Sequence, residues 1–253
     1  QSLNRIYSLL RTKALTLNLG MTVSPKIKAR NFSESEVDDV KIEADAVQFT
    51  YRSSELYHYL KHMNANSINY PANIIFRSLG STGAFEKFIE KKLRFKQGDV
   101  QMYTGSGIEF YTDGASKKVR VDNESSCENI LKIMVALDHE LTLSSLSLPD
   151  VLLVSGVDQG TWSGSPAVSG AVAAKTGTLV QIPVVNLSGM ASTMNGSYYF
   201  GMFFQMKSPQ EMARAHSSEI SLVDKIVQAN GGKSPVPLAL KPQVFLPFSS
   251  PIQ

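Results

Sequence analysis

A lysine, a hydroxyl and a glycine follow one another in Ala173-Ala174-Lys175-Thr176-Gly177-Thr178-Leu179, with an apolar run over 180–185 behind them. The pattern predicts a strand that carries charge and hydrogen-bond donors into a cleft. Lys175 offers a compact positive charge. Thr176 and Thr178 offer hydroxyls that donate or accept, and Gly177, lacking a side chain, lets another backbone lie close. About a hundred residues upstream stand Ser67 and Asn69, followed by Pro71 and the apolar stretch 74–80. These two have an ordinary reading as a helix cap, with Pro71 tolerated early in the helix. They have a second reading as polar groups of a site shared with Lys175.

The elements that must position these groups are legible from periodicity. Apolar residues at helical spacing predict helices over 2–19, 54–63, 71–79 and 85–93, and Asn123 is expected to cap another over 124–137. Alternation predicts strands over 21–30 and 40–51. An apolar stretch, 146–154, enters the loop Gly156-Val157-Asp158. Three strands follow, over 171–180, 184–191 and 198–206, with Asn195-Gly196 marking the hairpin between the last two. Ser208-Pro209 opens a final helix to about 229, stopped by Gly231. The proline-rich tail, 234–253, is expected to be extended.

The chain has 253 residues, 43% hydrophobic and 19% charged, which suits a soluble globular protein with a real core. A net charge of +3 without a basic face interleaved with aromatics gives no ground for a nucleic-acid partner. Cys127 is the only cysteine, so no internal disulfide and no cysteine metal cage can form. It is expected to be half-buried in the helix capped by Asn123. His58 and His62 fall four apart on a predicted helix, a zinc-compatible spacing. No glutamate follows the first and no third ligand is evident, so they are read as surface histidines.

Taken in order, Ser67-Ile68-Asn69, the turn Gly105-Ser106-Gly107, the loop Ser155-Gly156-Val157-Asp158 and Lys175-Thr176-Gly177 resemble the landmarks of penicillin-binding serine DD-peptidases. In particular the chain is similar, over about 54–206, to the D-alanyl-D-alanine carboxypeptidase/endopeptidase family of class C low-molecular-mass penicillin-binding proteins. The resemblance implies an α/β penicillin-binding (serine β-lactamase-like) fold, a mainly antiparallel sheet flanked by helices, with the Lys175 strand bordering the cleft. It implies cleavage of D-alanyl-D-X bonds in peptidoglycan stem peptides through a serine acyl-enzyme. β-Lactams would be covalent inhibitors, the location periplasmic, and no cofactor or metal would be needed. Carried over by position, Ser67 would relay protons, Asn69 would bond the substrate amide and the base lysine, and Lys175 would hold a positive field. Thr176 and Thr178 would bind the terminal carboxylate, the Thr178 N–H would serve the oxyanion, and Gly177 would let the peptide lie against the strand. Asp158 is a candidate for orienting its loop, and Trp162 for packing or substrate contact.

One part of the pattern is missing. No serine in this sequence is followed by lysine three residues later, and threonine and cysteine give no substitute. The expectation is that 1–51, helix plus strands, returns from an inserted region and 52–253 is the C-terminal part of the peptidase domain. The nucleophile would then lie outside the chain, on the missing N-terminal part of the same protein. The alternative is a non-catalytic module that binds peptidoglycan or β-lactam. Ile68, Thr104, Glu109 and Gln159 also depart from the family's usual residues, which bears on peptide specificity.

Overall fold

The computed structural model describes residues 55–108, 110–113 and 118–237. The helix expected over 2–19, the strands over 21–30 and 40–51, and the tail beyond 237 lie outside the described residues. Four strands form the central sheet in the order β5 (Leu153–Val154), β6 (Val172–Leu179), β7 (Val184–Thr193) and β8 (Gly196–Gln205), each antiparallel to its neighbour. Two short two-stranded ladders lie apart from it. One pairs β1 (Val100–Gln101) with β4 (Glu124–Ser125), the other β2 (Phe110–Asp113) with β3 (Lys118–Val121). The helices are α1 (Leu56–Asn66), α2 (Asn69–Ser78), α3 (Ser81–Leu93), α4 (Cys127–Thr142), the one-turn α5 (Leu148–Val151) and α6 (Met212–Ala229). The expected α/β fold with a mainly antiparallel sheet is the fold observed.

Both sheet faces are covered, and the alternation along β6 shows why. Val172 and Ala174 join Leu187, Ala191 and Phe200 in a cluster closed by Val223 and Val227 of α6. Ala173, between them, points the other way and meets Met190, Met134 of α4, and Leu148 and Val151 of α5. Fully burying a valine or leucine is worth about 1.5–3 kcal/mol, more than the roughly 1 kcal/mol span of strand propensities. Packing therefore sets the register, since a one-residue slip would drive the Lys175 amine into the α6 side of the core. A smaller cluster, Ile89, Phe95 and Val100, seats α3 against β1 and Ile133 of α4.

Polar ties fix the helices on the second face. The Tyr199 hydroxyl of β8 donates to Asp138 Oδ2 of α4 at 2.6 Å, and Asp138 Oδ1 accepts from the Leu148 N–H at 2.9 Å. Burial, with the Asp138 carboxylate beside it, pushes the Tyr199 phenol up to about 12, so it stays a donor.

Three local expectations are corrected. The N-cap of α4 is Ser126, whose side chain accepts from the Asn129 N–H, and the helix runs from Cys127 rather than from 124. Asn123 instead ties a turn, accepting from the Tyr103 and Thr104 N–H groups and donating to Thr104 O. Both residues are good caps; Glu124 and Ser125 pair with β1, which delays the helix by three residues. Cys127, at the first helical position, is exposed rather than half-buried. The hairpin loop is Met194-Asn195, since Thr193 pairs with Gly196, which takes the left-handed φ of 124° that a glycine tolerates.

Candidate active site

The helix α1 ends abruptly at Ser67. Ser67 takes the left-handed conformation, φ 51° and ψ 51°, while the Ile68 N–H returns to Met63 O at 3.0 Å. A non-glycine residue there costs about 1–2 kcal/mol, a strain that concentrates at functional sites. The chain then enters α2, with Pro71 in the first turn where its missing N–H costs nothing. The cap position of α2 is Ile68, with no side-chain cap bond. Neither Ser67 nor Asn69 is an N-cap here; Ser67 is instead the C-cap of α1. Asn69 is the first residue of α2 and is exposed, and Ser67 is exposed beside it.

Across 108 positions of sequence, the Lys175 amine meets this turn. Lys175 Nζ donates to Ser67 Oγ at 2.9 Å and to its neighbour's carbonyl, Thr176 O. Burial pushes the Lys175 amine below its ordinary value, because an ammonium loses hydration there. The tertiary fold therefore brings two of the sequence-derived site residues into contact. A partly dehydrated amine against a serine hydroxyl is an arrangement able to move protons.

The strand carrying Lys175 offers an edge. β5 pairs only with Ala173 and Ala174, so from Lys175 onward β6 has β7 on one side and, among the described residues, no strand on the other. The Ser155 N–H donates to Val172 O on the β5 side, and the Ser192 N–H to Ala171 O on the β7 side. Peptide groups alternate sides along a strand, so those of Thr176 and Thr178 face the open edge. An extended peptide can add there as a further strand. The Thr176 hydroxyl is 2.7 Å from that of Thr161, whose N–H donates to Ala65 O in α1 at 2.9 Å. Thr178 is exposed farther along the edge.

Gly177 makes a close contact within the sheet itself. It lies opposite Asn186 of β7, and a Cβ at Gly177 would be 2.3 Å from Asn186 Oδ1 and 2.7 Å from Nδ2. The space a side chain would need is filled from within the sheet. Trp162 is buried in the α6-side cluster, a packing role. The Gly105-Ser106-Gly107 turn is tied to α2, with the Ser106 N–H donating to Asn73 Oδ1 at 3.0 Å. Asp158 closes its own loop, accepting from the Val154 N–H at 2.7 Å.

A profile of the D-Ala-D-Ala carboxypeptidase 3 (S13) family matches residues 12–225. The chain belongs to that family. The S13 assignment agrees with the solved structures it resembles. One is the Bd3459 predatory endopeptidase from Bdellovibrio bacteriovorus in complex with immunity protein Bd3460, at 26% identity and a TM-score of 0.74 over 98% of this chain and 61% of that one. Another is the penicillin G-acylated form of Bd3459 in the same complex, at 30% identity and a TM-score of 0.66 over 77% of this chain and 50% of that one. A third, the Bd0816 predatory endopeptidase of the same organism, reaches 25% identity and a TM-score of 0.72 over 85% and 53%. Among curated proteins no sequence matches significantly. This chain thus spans between half and 61% of the length of these three relatives.

Sequence reasoning missed residues around this candidate site. Thr161, Asn186 and Lys61 carry no motif; each matters because of a partner far away in sequence, Thr176, Gly177 and Asp158 respectively. Asp158 was legible as a loop residue, but its ion-pair partner in α1 was not.

Proposed function

We propose that this chain supplies the Ser-x-Asn and Lys-Thr-Gly side of a peptidoglycan DD-peptidase that works through a serine acyl-enzyme and is sensitive to penicillin. The observation that carries the reading is the 2.9 Å contact from Lys175 Nζ to Ser67 Oγ at the open edge of β6. Membership of the S13 family supports it, as does a similar solved structure described as acylated by penicillin G. The attacking serine and its lysine base lie outside residues 1–253, since the sequence holds no Ser-x-x-Lys.

In this reading the peptide lies along β6 with its terminal carboxylate near Lys175, Thr176 and Thr178. The serine oxygen bonds to the carbonyl carbon, its proton passes to the base, and the oxyanion is held by the Thr178 N–H. The C–N bond breaks as Ser67 delivers a proton to the leaving amine, Lys175 lowering the cost through its charge. Water then hydrolyses the ester. Asn69 holds the substrate amide. Stem peptides of the cell wall are the substrates and the periplasm is the location that goes with them.

The test is intact mass before and after incubation with penicillin. One adduct on a serine outside Gln1–Gln253, abolished or strongly slowed by Ser67→Ala and Lys175→Ala, is expected. A complete protein of 27.7 kDa that forms no adduct sinks the catalytic reading. The absence of Ser-x-x-Lys favours one alternative, a non-catalytic module binding peptidoglycan or β-lactam. Reversible binding without an adduct would establish it.

A further inference from the structure

Ser67 and Lys175 sit on elements with no covalent closeness, yet both are referenced to the same short stretch, 149–154. On the α1 side, Lys61 Nζ donates to Pro149 O at 2.7 Å and to Leu152 O, and pairs with Asp158 Oδ2 at 2.5 Å. An ammonium has three N–H donors, and these three acceptors use all of them. Asn64, one turn on, donates from Nδ2 to Val151 O at 2.9 Å. On the β6 side, Leu153 and Val154 pair with Ala174 and Ala173, the two residues before Lys175. Asp158 joins the halves, accepting from Val154 N at 2.7 Å and donating its own N–H to Val154 O at 3.0 Å.

We propose that Lys61, through Asp158 and the carbonyls of Pro149 and Leu152, is a positioning residue that sets the contact between Ser67 and Lys175. The inference rests on the reading of those two as site residues. Lys61 stands six residues before Ser67 on one helix, so a rigid rise of about 9 Å connects clamp and site. The carbonyls it holds end a helix of one turn, where acceptors lack intrahelical donors and a cation is favoured. The side chains of Lys61 and Asp158 are only 21% and 16% exposed, so water offers poor replacement partners. Without the ammonium, the Asn64 bond to Val151 O and the Thr161 bond to Ala65 O still tie α1, but its C-terminal turn is held less closely and Ser67 can shift away from Lys175.

The test uses the full chain with lysine labelled at Cε and follows the Lys175 titration by NMR, assigned with Lys175→Ala. In Lys61→Met the titration is expected to move up toward the ordinary lysine value, so that the neutral-amine fraction at a given pH falls. Lys61→Arg, which keeps the charge and can grip Asp158, is expected to restore the wild-type titration. Asp158→Asn, which keeps an acceptor for Val154, is expected to move it in the same upward direction. A merely structural lysine would lower Tm and leave the titration of folded protein unmoved, and that result in Lys61→Met overturns the proposal. Should Lys61→Met fail to fold, an unmoved titration in Asp158→Asn overturns it instead. Failure of the penicillin adduct would sink the peptidase reading without altering this titration, so the two failures are distinct.

Discussion

Replacing Gly160 by alanine tests the wall that joins α1 to the open edge of β6. A Cβ at that position would be 2.3 Å from Ala65 O, 2.4 Å from Leu153 Cδ1 and 2.9 Å from the Ala65 carbonyl carbon. Ala65 is buried in the last turn of α1, and Leu153 is buried in the sheet, so neither can retreat. The 160–161 segment must instead move out by about 1 Å to restore ordinary contact, because a packed interior leaves no slack. Overpacking costs about 1–3 kcal/mol. The displacement also breaks the Thr161 N–H bond to Ala65 O, worth about 0.5–1.5 kcal/mol. Together these give about 1.5–4.5 kcal/mol, or a Tm lower by about 3–18 °C in a protein of this size. Thermal unfolding of Gly160→Ala is the assay, with Gly83→Ala beside it. Gly83 lies in α3 with nothing within 4 Å of the added methyl, so that change should stabilise by about 0.5–1 kcal/mol. A Gly160→Ala protein melting within about 1 °C of wild type would refute the reasoning, since that corresponds to less than about 0.5 kcal/mol.

Glu219 is wholly buried on α6, and burial raises its carboxyl above the ordinary value against the lowering effect of His216. The folded state then holds more protons than the unfolded one between the ordinary and the raised values, so stability falls as pH rises through that window. Glu219→Gln should melt higher than wild type above the window, with the gain vanishing in acid; a gain independent of pH counts against this cause. Lys175 has the opposite sign. Its lowered value means that the unfolded chain binds more protons between that value and 10.5, so wild-type stability should rise with pH across that window, and Lys175→Met should lack that rise. Parallel Tm–pH curves for the two proteins would contradict the burial of the amine. Ser126→Ala should cost about 1 kcal/mol by uncapping α4. Asn123→Ala should also destabilise, by releasing the Tyr103 and Thr104 N–H groups; a larger loss of far-UV helix signal in Asn123→Ala than in Ser126→Ala would show that the caps are assigned wrongly. Leu187→Ala, at a fully buried position in β7, should cost about 2–5 kcal/mol in denaturant unfolding; a loss under about 1 kcal/mol would mean the core is not packed as described.

Local preference carried much of the fold. β7 and β8 follow from alternation with turn residues between them, and α6 from a serine-proline start and an apolar stripe. The caps show where local preference stops. Asn123 and Ser126 are both good N-caps within four residues, and only the pairing of Glu124–Ser125 with β1 decides between them. The same holds at Asn69, a sound cap by type that the left-handed turn at Ser67 moves into the helix itself.

By itself the sequence determined the order and types of the site residues, because Ser67-x-Asn69 and Lys175-Thr176-Gly177-Thr178 are contiguous, and contiguous chemistry is readable in one dimension. It also determined the absence of a Ser-x-x-Lys motif within these residues. Only the tertiary structure decided that the Lys175 amine is partly dehydrated and bonded to Ser67, and that, among the described residues, β6 has no strand on its β5 side beyond Ala174. It alone showed that Asn186 fills the space over Gly177 and that Lys61 is clamped to Asp158. The physical reason is common to all four. Dehydration, strand edges and ion pairs depend on which surfaces meet, and those surfaces are brought together by burying both faces of one sheet rather than by any neighbour along the chain.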